Sequence, residues 1–197
     1  MRICCLDLEG VLVPEIWIRV AEKTKIEELR VTTREIKDYD ELMAFRLNIL
    51  AKNKITIHDI QSVIATIKPL TGAKKFLDDL RKQVQVIILS DTFYQFAAPL
   101  MKQLDYPTLF CHDLEINKKG MITDYLLRQK NQKEKAVKAL KKLNFEIYAA
   151  GDSYNDITML MAADRGVFFN APESIKREFP KLLVSTTYKD LTKKLLS

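Results

Sequence analysis

The chain has 197 residues, 47% hydrophobic and 29% charged, with only 5 Gly and 6 Pro. That balance excludes a disordered or collagen-like chain and suits one α/β domain, or one domain carrying a sizeable insert. No apolar run approaches the ~18–20 residues that cross a bilayer, and Met1-Arg2 leads straight into Ile3-Cys4-Cys5-Leu6, too short for a signal-peptide core, so a cytoplasmic protein is expected.

Residues 3–6 read as a buried strand that ends at Asp7. Cys4 and Cys5 are adjacent in it and should point to opposite faces. With Cys111 they are too few for a disulfide framework, and buried reduced thiols are expected. From residue 14 to about 68 there is no strand pattern, and helical patterns cover 16–23, 39–53 and 56–67. This interval reads as an inserted helical cap, 14–68, leaving 1–13 and 69–197 as the core.

Beyond the insert the rhythm is regular. Strands are expected at 84–89, 108–111, 146–150, 167–169 and 182–184, and helices at 72–82, 93–104, 132–143, 155–163 and 188–196. Strands alternating with helices imply a doubly wound parallel sheet covered on both faces. Residues 113–128 break the alternation and read as a β-hairpin, with Asn117 and Gly120 supplying the turn.

The net charge is +6, and it is local. Residues 118–142 hold nine Lys/Arg against Asp124 and Glu134, a sum of +7, so the rest of the chain sums to −1. A solvated helix face is the ordinary reading of such a run, and service to a single site is the alternative. No nucleic-acid fold motif or aromatic platform accompanies the lysines, so no nucleic-acid partner and no membrane partner are expected.

Four polar groups follow strand ends, where open parallel sheets bind ligands. Asp7 and Glu9 flank Leu8 directly after the first strand; two carboxylates so close call for a cation or a proton. Ser90-Asp91-Thr92 follows the second strand, where Ser90 can hold a phosphate oxygen or cap the next helix. Lys133 opens an amphipathic helix and can neutralise a phosphoryl group, with Lys130 and Lys135 as competitors. Gly151-Asp152-Ser153-Tyr154-Asn155-Asp156 follows a buried strand, and its hard oxygen donors suit Mg²⁺.

Arg46 stands apart from these. It falls on the apolar stripe Tyr39, Leu42, Met43, Arg46, Ile49, Leu50 of the 39–53 helix. A buried guanidinium wants an anion: a substrate carboxylate, or an internal partner such as Glu15 or Asp40.

Taken together, these residues resemble the haloacid dehalogenase superfamily of phosphotransferases along essentially the whole chain. Asp7-Leu8-Glu9-Gly10-Val11-Leu12-Val13 is similar to its first motif, Ser90 to its second, Lys133 to its third, and Gly151 through Asp156 to its fourth. Glu9, with Val13-Pro14-Glu15-Ile16-Trp17 and Leu89-Ser90-Asp91-Thr92-Phe93-Tyr94, closely resembles the bifunctional phosphoserine phosphatase/homoserine phosphotransferase group.

The resemblance implies a Rossmann-like core and a division of labour. Asp7 would be the nucleophile and Glu9 the acid and base. Ser90 and Lys133 would hold phosphoryl oxygens, and Asp91 and Asn155 would line the substrate site. Mg²⁺ would sit on Asp7, the Glu9 carbonyl and Asp152, with Asp156 behind them. Glu15 and Arg46 would grip the amino-acid part of the substrate. Phosphoserine is the implied substrate, homoserine a second acceptor, and a homodimer is compatible. The rival readings are a phosphatase for another small phosphate ester, a phosphate-sensing receiver module, and a basic binding module.

Overall fold

The computed structural model describes every residue except 33, 34 and 37, three positions inside the expected 14–68 insert. Seven strands form one sheet: β1 (Arg2–Leu6), β2 (Gln85–Phe93), β3 (Thr108–Ile116), β4 (Ile122–Leu126), β5 (Glu146–Gly151), β6 (Arg165–Phe169) and β7 (Leu183–Ser185). Their order is β4-β3-β2-β1-β5-β6-β7. All neighbours pair parallel except β3 with β4, the two arms of the hairpin. The chain steps outward from β1 through β2 and β3, then returns to the other side of β1 as β5. The crevice beyond the carboxyl ends of β1 and β5 is therefore the switch point where such sheets take ligands.

β1 is buried on both faces, so its sequence is a continuous apolar run. Cys4 packs into the core on one face and Cys5 into the core on the other, as alternation requires. All three thiols are free and buried, and burial pushes each up to about 12.

Between β1 and β2 lie α1 (Ile16–Thr24), a 3₁₀ turn (Glu27–Arg30), α2 (Tyr39–Lys52), α3 (Ile57–Thr66) and α4 (Ala73–Arg81). Asp38 caps α2 by accepting from the Glu41 N–H, and Thr56 with Asp59 forms a capping box on α3. The helices that follow are α5 (Tyr94–Gln103), α6 (Gln132–Lys142), α7 (Ile157–Ala162), α8 (Glu173–Glu178) and α9 (Tyr188–Leu196). The helix α8 has no counterpart in the sequence reading; at 6 residues it is too short to show a period.

Two strands run further than their apolar patterns. β2 continues through Ser90, Asp91 and Thr92 to Phe93, and β3 continues to Ile116. Parallel pairing carries β2 onward, with Phe93 opposite His112 after a register shift beyond Leu89, and antiparallel pairing with β4 carries β3 from Asp113 to Ile116. The hairpin turn is as expected, with Asn117 Oδ1 accepting from the N–H groups of Lys119 (2.9 Å) and Met121 (3.1 Å). The same turn reaches the residue that opens the helix Ile57–Thr66, whose Ile57 N–H donates to Gly120 O at 2.8 Å. Among the described residues no helix is long and apolar enough to cross a membrane.

Candidate functional site

Asp7 is the first residue past β1, and its N–H donates to Ala150 O at 2.9 Å, so the ladder with β5 sets it beside Gly151. Its side chain is nearly sealed, at 4% exposure. Oδ1 accepts from the Leu8 N–H at 2.8 Å and lies 2.9 Å from Lys133 Nζ. Lys133, at the first turn of α6, is equally sealed and also sits 2.8 Å from Asp156 Oδ1 and 3.7 Å from Asp91 Oδ2. Of the three lysines weighed, Lys133 is the one placed among these carboxylates, whereas Lys130 and Lys135 are exposed.

One carboxylate oxygen from each of Asp7, Asp152 and Asp156 lies within 4.8 Å of the others. Gly10 makes room for this. It holds φ +75, and a Cβ on it would fall 2.2 Å from Asp152 Oδ2. Asp156 is fixed by the turn it ends: its Oδ2 accepts from the N–H groups of Asp152 (2.9 Å) and Ser153 (3.2 Å). Asp156 is also the N-cap residue of α7 but makes no side-chain cap bond there; the other oxygen of its carboxylate grips Lys133.

The electrostatics are unbalanced. Burial raises the Asp7 carboxyl well above its ordinary range, and Asp156 and Asp152 add repulsion that Lys133 only partly offsets. Burial and the charge of Asp156 push Asp152 up to about 7. Burial works against the Lys133 ammonium, yet Asp156, Asp7 and Asp91 hold it protonated well above its usual range. Three clustered acids against one shared ammonium leave excess negative charge, and all the donors are hard oxygens. That donor set fits a small divalent cation such as Mg²⁺.

Glu9 goes elsewhere. Its carboxylate accepts from the Ile16 N–H at 2.7 Å, at the start of α1. Burial and the nearby Glu15 push it up to about 8. The expected conflict between Asp7 and Glu9 is thus divided: Asp7 contends with Asp152 and Asp156, Glu9 with Glu15.

Ser90 is buried within β2, its Oγ accepting from the Thr92 N–H at 3.3 Å. Neither Ser90 nor Asp91 caps α5, whose N-cap residue is Phe93, so the capping alternative fails. Asp91 Oδ2 accepts from Asn155 Nδ2 at 3.0 Å. Burial opposes its charge, but Lys133 and donors from His112, Gln132 and Asn155 hold it well below the usual carboxylate range.

Arg46 is 7% exposed. Its Nη2 donates to Val31 O at 3.0 Å, and its guanidinium lies 4.5 Å over the Trp17 ring. Nε is buried with no hydrogen-bond partner. Neither Glu15 nor Asp40 pairs with it within 4.0 Å, and Asp40 instead accepts from the Tyr125 hydroxyl. Burial lowers the guanidinium to about 10, with Glu9, Tyr39 and Glu15 opposing the change.

Three participants escaped the sequence reading. Tyr39 OH donates to Asp91 O at 3.2 Å, tying α2 to β2. Gln132 and His112 are buried beside Asp91. Tyr39 was visible as the first residue of the Arg46 stripe, whereas Gln132 and His112 carried no periodic or motif signal. A depression of about 850 Å³ beside Leu70, Gly72 and Lys82 contains none of the site residues.

A carboxylate–lysine cluster thus lies at the switch point of a doubly wound α/β sheet, the edge where such folds take ligands. The chain belongs to the haloacid dehalogenase-like hydrolase family, which it matches over residues 1–164. It is 56% identical over 196 residues to Phosphoserine phosphatase ThrH of Pseudomonas aeruginosa, covering 100% of this chain and 96% of that one. It is 55% identical over 196 residues to Phosphoserine phosphatase of Pseudomonas syringae pv. tomato, covering 100% and 83%. Among solved structures, an apo phosphoserine phosphatase shares the fold with TM-score 0.79 at 20% identity, covering 98% of each chain.

Proposed function

We propose that the chain is a Mg²⁺-dependent phosphatase that hydrolyses O-phosphoserine through an aspartyl-phosphate intermediate, and that it also passes the phosphoryl group to homoserine. The observation that carries this reading is the Lys133 ammonium sealed between Asp7 and Asp156 at the sheet's ligand-binding edge. The whole-length likeness to the two Pseudomonas phosphatases supports the choice of substrate.

Asp7, Asp152 and the Glu9 main-chain carbonyl would hold Mg²⁺, with Asp156 supporting them. When bound, the ion offsets charge on the phosphoryl oxygens. Ser90 and Lys133 hold those oxygens in line, and positioning with charge neutralisation supplies most of the acceleration. Arg46 takes the substrate α-carboxylate through its unpartnered edge, Glu15 takes the ammonium, and Asp91 and Asn155 flank the phosphate. The helices α1–α3 form a cap over the site.

An Asp7 carboxylate oxygen attacks phosphorus as the bond to the seryl oxygen breaks. Glu9, pushed up to about 8, carries a proton at neutral pH and delivers it to the departing seryl oxygen. In the second step Glu9 takes a proton from water, or from the homoserine hydroxyl. The oxygen so activated attacks phosphorus and frees Asp7.

The test is phosphate release from phosphoserine with Mg²⁺, with and without homoserine. Homoserine should divert part of the phosphate into a new ester. Asp7→Asn should lower both reactions at least about 10³-fold while the protein stays folded. Wild-type turnover by that variant would end the mechanism. Turnover of other small esters but not phosphoserine would leave a phosphatase of different specificity.

A further inference from the structure

Gln132 and His112 are buried polar side chains, at 2% and 3% exposure, that the chemistry above does not use. They meet at the back of the Ser90–Asp91 segment. Gln132 Nε2 donates to Ser90 O and to Asp91 Oδ1, the latter at 3.2 Å. Its Oε1 accepts from Arg128 Nη2 at 2.9 Å and Nε at 3.3 Å, which fixes the amide orientation. His112 Nδ1 accepts from the Arg128 N–H at 3.1 Å, and its Nε2 lies 3.3 Å from Gln132 Nε2 and 3.7 Å from Asp91 Oδ1.

The amide thus joins three things. It holds the main chain of the residue that presents the phosphate-binding hydroxyl. It holds the inner oxygen of Asp91, whose outer oxygen takes Asn155 and faces Lys133. It also stands next to Lys133 in sequence, on the first turn of α6. This turn has a left-handed N-cap, Asn131 at φ 53, without a side-chain cap bond, and the Gln132 amide ties it to β2 at Ser90.

We infer that Gln132, oriented by Arg128 and backed by His112, is a positioning residue that sets Ser90 and Lys133 at the spacing required by the phosphoryl group. The role rests on the phosphatase reading above and deepens it. Outer groups that orient ligating side chains are commonly worth 10–100-fold, and small misplacements of reacting groups cost similarly.

Gln132→Glu keeps the size but cannot donate, and it sets a carboxylate against Asp91. Its kcat should fall about 10- to 100-fold for phosphoserine and for p-nitrophenyl phosphate alike, with KM for phosphoserine within about threefold. Arg128→Met, at an exposed position, should fold normally and lose several-fold in kcat, and Arg128→Lys should recover most of it by donating to the same Oε1. A purely structural role would lower the melting temperature without this kcat-against-KM split. Unchanged kcat in folded Gln132→Glu, or in Arg128→Met, would overturn the assignment. Wild-type protein inert towards both esters would remove the phosphatase reading and this role with it; an active wild type with unaffected variants would remove this role alone.

Discussion

Two buried cations anchor the two halves of this site, and they are kept in opposite ways. Lys133, in the sheet-bearing half, lies within 2.9 Å of Asp7 and within 2.8 Å of Asp156, with Asp91 at 3.7 Å. Arg46, on α2, has a ring beneath it and one carbonyl in reach, but no carboxylate within salt-bridge distance among the described residues and a buried Nε without a partner. Burying a charge is costly unless it is paired. Lys133 has internal partners and belongs to the framework; Arg46 is short of an anion, which a substrate carboxylate would supply. On the proposed reading, the contrast separates a group that organises the site from one that would wait for the substrate carboxylate.

Removing each cation should sharpen that contrast. Lys133→Met would leave buried acids facing each other, and should abolish turnover and cost about 3–5 kcal/mol in chemical unfolding without added metal. Arg46→Met should leave stability unchanged or slightly improved, since an uncompensated charge disappears. Comparable destabilisation by both would erase the distinction. In turnover, Arg46→Met should lower kcat/KM for phosphoserine about 100-fold, consistent with loss of a charge-paired anchor. It should barely affect p-nitrophenyl phosphate, which has no α-carboxylate; equal losses on the two esters would remove Arg46 from substrate recognition.

The smallest effect concerns the acids around Lys133. Asp152 ionises near 7 when folded and near its ordinary 3.8 when unfolded. Between those values the folded chain retains a proton that the unfolded chain has released, so metal-free stability falls as pH rises through the window. A divalent cation on the cluster removes this cost. Mg²⁺ should therefore raise the melting temperature by a few degrees at pH 8 and by less at pH 5, where protons compete. Equal shifts at the two pH values would show that the ion binds elsewhere.

Much of the site was legible because its residues stand beside strong local signals. Asp7 follows a run buried on both faces, Asp152 follows another plus a glycine, and Arg46 interrupts an apolar helical stripe. The choice among Lys130, Lys133 and Lys135 was not legible, because a lysine on an amphipathic helix looks the same whether it meets water or three carboxylates. The extension of β2 through Ser90 was hidden for a related reason: it depends on pairing with β3, where Phe93 lies opposite His112.

By itself the sequence determined the alternation of strands and helices, the helical interval after β1, and which acids fall at strand ends. These follow from periodicity and from local backbone preferences, which act over a few residues. Only the tertiary structure decided which lysine is sealed among the acids, that Glu9 turns toward α1 while Asp7 faces Asp152, and that Gln132 braces Ser90. Those outcomes depend on groups far apart in the chain competing for the same buried space, where an unpaired charge or amide is penalised far more than in water.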